Sequence, residues 1–100
     1  MPIQDITSKV DFSTPFKPRI VHADERSKVV LVCLAPGQGI PPHPEDNQAF
    51  FYALEGSGVM LTDEGELPIK AGSLVTIARG GTRGIRADKE KLVVLATAVL

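Results

Sequence analysis

Two side chains at short spacing can do chemistry in this sequence, His43 and Glu45, within the stretch GQGIPPHPEDNQAFFYALEG at residues 37–56. An imidazole with a carboxylate two positions on can ligate a divalent ion. It can also work as an acid or base near neutral pH, with the carboxylate orienting the ring. The stretch has the spacing of a metal site but holds one histidine. A durable catalytic ion needs at least three protein donors, supplied at about 2.0 to 2.2 Å by imidazole or carboxylate, so the pair by itself falls short. The other histidine, His22, has no visible partner and reads as an ordinary strand or surface residue. The one cysteine, Cys33, excludes an internal disulfide. It lies in the apolar run VVLVCLA without a basic neighbour, which predicts core packing as a small hydrophobe rather than a nucleophile.

The elements that must hold these residues are strands. No segment shows a helical period of apolar residues; short runs rich in Val, Leu, Ile and aromatics are cut by Gly, Pro and Asp at intervals of roughly 8 to 12 residues. The runs are PRIVHA, KVVLVCLA, QAFFYALE, GVMLT, GELPIK, SLVTIA, TRGIRA and KLVVLATAVL, and TDEGE (62–66) reads as a hairpin loop. About eight short antiparallel strands in one hundred residues predict an all-β domain closed into a two-sheet sandwich or barrel. The chain is expected to form one domain over 1–100. Residues 1–28 give N-terminal strands that can serve as a dimer arm, and 29–100 give the barrel core. Pro41 and Pro42 stiffen the entry to the His43 strand.

Composition narrows the partners. The formal charge is −1, with 11 Lys and Arg against 12 Asp and Glu, and no basic cluster with interleaved aromatics occurs, so nucleic acid is not an expected partner. No apolar stretch approaches the roughly 18 to 20 residues that cross a bilayer, and a soluble, cytoplasmic protein is expected. The strand near Phe50 is apolar on both faces, Ala49, Phe51 and Ala53 on one and Phe50, Tyr52 and Leu54 on the other. One face lines the barrel. The other predicts a homodimer through Phe50, Tyr52 and Leu54, the alternative cover being Ile6, Val10 and Phe12 folded back from the N-terminus.

The chain resembles a small single-domain cupin, an RmlC-like jelly-roll β-barrel. Gly37, His43, Glu45, Ala49 and Gly56 fall on the first cupin motif, and FFYALEGSG is similar to the aromatic-aliphatic run that follows it. GELPIKAGSLVTIARGGTRGIRA resembles the second motif through Gly65, Ala71-Gly72 and Gly80, with Arg83 where the family's His falls and Ala87 in place of Asn. In metal-binding cupins four ligands hold one divalent ion; carried over, those positions are His43, Glu45, Ala49 and Arg83. Two cannot coordinate, so the resemblance implies a degenerate metal site in which His43 and Glu45 are the only matching candidates. A divalent transition metal is disfavoured as a cofactor, since Arg83 adds a permanent positive charge beside it. Asp46 or Gln48 can offer a third donor, although alternation turns Gln48 to the opposite face.

Two roles are open to Arg83: pairing with Glu45 across the barrel, or binding a carboxylate or phosphate of a ligand through its planar fork. Ala49 empties volume beside it and Phe51 supplies an apolar wall. The resemblance therefore implies a small polar or anionic molecule bound among His43, Glu45, Ala49, Phe51 and Arg83. The alternatives are a cupin enzyme, either an isomerase or epimerase with His43 as acid or base or a weak-metal dioxygenase, and a purely structural polar network.

Overall fold

The computed structural model describes residues 3–12 and 18–100. Seven strands follow a 3-10 turn at Ile6–Lys9: β1 (Arg19–Ala23), β2 (Ser27–Leu34), β3 (Gly39–Pro44), β4 (Gln48–Thr62), β5 (Gly65–Lys70), β6 (Leu74–Ile77) and β7 (Thr82–Val99). The eight expected runs become seven strands by two mergers and one addition. QAFFYALE and GVMLT are one strand, β4; TRGIRA and KLVVLATAVL are one strand, β7; and GIPPHP is a strand of its own. Where the N-terminal part was expected to be strands, residues 6–9 form the 3-10 turn and β1 pairs with β2.

All pairings are antiparallel. The long strands β4 and β7 belong to both layers. The first half of β4 pairs with the second half of β7, flanked by β6 on one side and by β2 and β1 on the other. The second half of β4 pairs with the first half of β7, flanked by β5 and β3. The crossing point is irregular: β4 shifts register between Ala53 and Glu55 and again between Gly56 and Gly58, and β7 accommodates residues 88–91 between its two paired halves. This is the bulged bend by which a two-layer β-structure turns a strand from one sheet into the next. Gly56 sits at the bend with φ +80°, and a Cβ there would overlap the Lys91 carbonyl oxygen, so the position admits only glycine. The glycine pair expected to flank a turn thus lies inside a continuous strand. The turn comes later, where Thr62 pairs with Gly65 (φ 100°) around the hairpin expected there.

The core lies between the layers. Val32, Leu34, Ala53, Met60, Ile69, Ile85, Ala87, Leu92 and Val94 form one buried cluster, with Val30, Ile40, Phe51, Leu67 and Val75 against it. Alternation explains the inward rows: Val30, Val32 and Leu34 on β2 face in, so Leu31 and Cys33 face out. Cys33 was expected in the core and is only half-buried, because the apolar run containing it serves both faces of its strand. Leu31 and Val93, both outward by the same parity, are nevertheless 1% and 0% exposed, so that outer surface is covered. Two contacts tie the N-terminal segment to this side, the Gln4 amide donating to the Val21 carbonyl and the Lys91 ammonium 5.6 Å above the Phe12 ring. The expected face of Phe50, Tyr52 and Leu54 is less protected: Tyr52 is 43% exposed and Leu74, its neighbour on β6, 61%. No helix among the described residues is long and apolar enough to cross a membrane.

Candidate functional site

The open end of the sandwich holds a cavity of about 290 Å³. Its apolar walls come from Val30 and Val32 on β2, Ile40 on β3, Ala49 and Phe51 on β4, Ile85 on β7 and Ala96 and Ala98 farther along β7. Its polar groups are Lys28, His43, Glu45, Asn47 and Arg83. All five residues read from the sequence as a ligand site, His43, Glu45, Ala49, Phe51 and Arg83, therefore line one cavity. The strands converge them by register: His43 on β3 is the pairing partner of Arg83 on β7, and Ala49 and Phe51 sit on the inward row of β4 opposite Ala98 and Ala96.

His43 and Glu45 stand at the rim, their side chains 48% and 49% exposed. The His43 Nδ1 lies 3.1 Å from the Pro41 carbonyl, an acceptor only, which assigns the Nδ1 proton in the neutral ring and leaves the Nε2 lone pair free. That Nε2 is 3.6 Å from Glu45 Oε2, so protonating the ring there creates an ion pair with the carboxylate. Pro41 and Pro42 lie within β3, at an edge of its layer and at the register shift between Ile40 and His43, where missing N–H groups cost no ladder bond.

Arg83 takes neither of the two roles set out for it. Its side chain is 4% exposed, and its guanidinium is engaged mostly with main-chain carbonyls. Nη1 donates to Asn47 Oδ1 at 2.7 Å, Nη2 to Asn47 O at 2.9 Å and Gly81 O at 3.0 Å, and Nε to Gly81 O at 3.2 Å. Longer bonds reach the carbonyls of Glu45 at 3.2 Å and Ala78 at 3.4 Å. The contact with Glu45 is with its backbone, because its carboxylate is turned to His43. The fork thus ties the loop after β3 (45–47) to the loop before β7 (78–81). Arg83 has no carboxylate partner among the described residues. A buried cation held only by carbonyl dipoles biases the adjacent cavity toward negative charge.

The four positions at which related proteins hold an ion do not suit one here. Ala49 has no donor atom, the Arg83 cation is permanently charged, and only His43 and Glu45 remain. Asp46 is paired with Arg79 at 3.3 Å, and Gln48 is on the exposed row of β4 opposite Ala49. Among the described residues no three His, Cys, Asp or Glu side chains come together. A divalent ion does not fit this donor set.

Two contributors escape a motif-based reading. Lys28 is on the inward row of β2, pairs with Ala98 and lines the cavity mouth. The period-two row Lys28, Val30, Val32, Leu34 is its signal, a charge at the end of an apolar face. Asn47 supplies the best-placed acceptor for Arg83 and carries no signal of its own in the sequence. His22 lies outside the site on β1, its Nε2 2.7 Å from Asp24, in keeping with an ordinary surface residue.

The motifs, the bent β4 and β7 shared between layers, and the cavity at the open end have counterparts among known proteins. The sequence pattern of the Cupin domain matches residues 30–99. The chain belongs to the cupin family. A comparison with curated proteins finds no match. Among solved structures, this cupin is similar to TT1209 from Thermus thermophilus, with 25% identity and TM-score 0.89, covering 99% of this chain and 97% of that one. An uncharacterized conserved protein with a double-stranded beta-helix domain from Klebsiella pneumoniae subsp. pneumoniae MGH 78578 is 18% identical with TM-score 0.88, covering 99% and 90%. An RmlC-like cupin from Shewanella frigidimarina NCIMB 400 is 14% identical with TM-score 0.79, covering 90% and 80%. At the two lower identities the likeness is one of fold, the RmlC-like jelly roll.

Proposed function

We propose that this cupin binds a small polar or anionic molecule in its barrel without a tightly held metal. The observation that carries the reading is the cavity itself: about 290 Å³, walled by Val30, Val32, Ile40, Phe51 and Ile85, with its polar groups gathered at the rim. Small-molecule sites combine mostly apolar walls with a few converging polar groups, and this volume is at the lower end of their range of roughly 300 to 1,000 Å³. Ala49 contributes by what it lacks, since a larger side chain on the inward row of β4 would fill the space. Titration calorimetry with small carboxylates and sugar phosphates tests the proposal on wild type and on Ala49→Leu. Saturable binding lost in the folded variant is expected. Failure of every compound to bind, or binding unchanged in Ala49→Leu, would overturn it.

A second reading, an acid-base enzyme of the isomerase or epimerase type, draws on one observation. With Nδ1 fixed on the Pro41 carbonyl, the His43 Nε2 is free to take a proton and Glu45 is placed to stabilise the resulting charge. A bound carboxylate exchanging its α-proton with deuterated solvent, and ceasing to do so in His43→Asn, would support this reading. Binding without exchange leaves the first.

A further inference from the structure

The sequence motif directs attention to Arg83 as the anion anchor, yet the geometry points to Lys28. We propose that the pocket takes an amphiphilic monoanion, a short apolar chain carrying one carboxylate, whose head lies at the mouth against Lys28 and whose body runs inward along β2. The inference rests on the pocket being the binding site proposed above.

Three observations carry it. First, the inward row of β2 changes character with depth: Lys28 is exposed, Val30 half-buried, Val32 and Leu34 buried. At about 3.3 Å per residue, Lys28 to Val32 spans roughly 13 Å, from a wet charged rim to a dry apolar floor. A ligand following that gradient is polar at one end only. Second, the head region has an excess of positive charge. Lys28 has no ion-pair partner among the described residues, and neither has the buried Arg83. Glu45, the one carboxylate lining the cavity, already faces His43. The Arg83 donors are directed at carbonyls, so Arg83 acts on the anion through its field while the Lys28 ammonium, with three unclaimed donors, makes the contact. Third, a second negative charge has nowhere to go. Val32, Ile85 and Phe51 would desolvate it at the floor, and Glu45 would repel it at the rim.

The test compares hexanoate, its neutral amide hexanamide, the dicarboxylate adipate and inorganic phosphate by calorimetry, on wild type and on Lys28→Met, which keeps the apolar stem of an exposed side chain. Hexanoate is expected to bind most tightly, with Lys28→Met weakening it by about tenfold or more and leaving hexanamide unchanged. If hexanamide matches hexanoate, or Lys28→Met leaves hexanoate unaffected, the Lys28 assignment fails while the binding site stands. Preference for adipate or phosphate would overturn the apolar-body part of the proposal. If none of these probes binds the inference fails, and if the wider set of carboxylates and sugar phosphates also fails, so does the binding reading beneath it.

Discussion

Arg83→Met isolates the structural role of the buried guanidinium, because it keeps a long apolar stem and removes all five N–H donors. Three acceptors lose their closest partner: Asn47 Oδ1 at 2.7 Å, Asn47 O at 2.9 Å and Gly81 O at 3.0 Å. Hydrogen bonds to a charged group contribute about 1.5–3 kcal/mol each, a gross loss of roughly 4.5–9 kcal/mol for the three. Two effects oppose it. The variant no longer desolvates a cation, which costs several kcal/mol, and the loop carbonyls regain some water. The net expectation is a loss of about 3 kcal/mol, the lower part of the range for breaking a buried polar network. For a domain of this size that lowers Tm by roughly 12–24 °C. Thermal unfolding by circular dichroism reads it directly, and a urea series should show a lower midpoint at unchanged slope. Arg83→Lys, with three donors in place of a planar fork, should fall between the two. A Tm within about 3 °C of wild type for Arg83→Met would show that the tie between loops 45–47 and 78–81 does not hold the mouth of the barrel.

Further outcomes follow from other parts of the fold. Gly56→Ala, at φ +80° and against the Lys91 carbonyl, should cost at least about 2 kcal/mol in chemical denaturation, and a neutral result would contradict the bend described for β4. Asp24 is held at about 2 against an ordinary 3.8, first by the His22 ring and then by the backbone N–H groups of Arg26 and Ser27. Because the folded value is the lower one, this stabilisation is complete above 3.8 and is lost as pH falls from about 4 to about 2. Urea midpoints of Asp24→Asn should accordingly change less than wild type across that window. The outer row of Leu74, Tyr52 and Leu95 is proposed to pair with a second copy of the chain, so sedimentation velocity at micromolar concentration should give a dimer that Tyr52→Glu dissociates. A wild-type monomer would refute it.

The fold was legible because its signals are local. Alternation in QAFFYALE puts Ala49, Phe51 and Ala53 on one face, and that is the face that lines the barrel. Counting strands failed where two layers share a strand, since a bend within β4 or β7 looks in sequence like the end of a run. The bend also changes parity. Inward residues on β4 are Ala49, Phe51 and Ala53 before it and Met60 after it; on β7 they are Arg83, Ile85 and Ala87, then Leu92 and Val94. A bulge that inserts unpaired residues reverses the facing of everything beyond it, so periodicity cannot be carried through. The site divides in the same way. His43, Glu45, Ala49, Phe51 and Arg83 were recoverable because the motif spacing reflects strand register. What Arg83 does was not, because its acceptors are backbone carbonyls at residues 45, 47, 78 and 81 and no side-chain pattern encodes them.

The central claim is a small organic ligand in the barrel, held without a metal. Amide-resolved NMR titration with hexanoate in the presence of a strong chelator tests both halves at once. The account predicts saturable shifts confined to the cavity residues of β2, β3, β4 and β7, with Lys28, His43 and Phe51 among them, unchanged by the chelator. Shifts that vanish when the chelator is added, or that spread over the outer face around Tyr52 and leave the cavity silent, would contradict it.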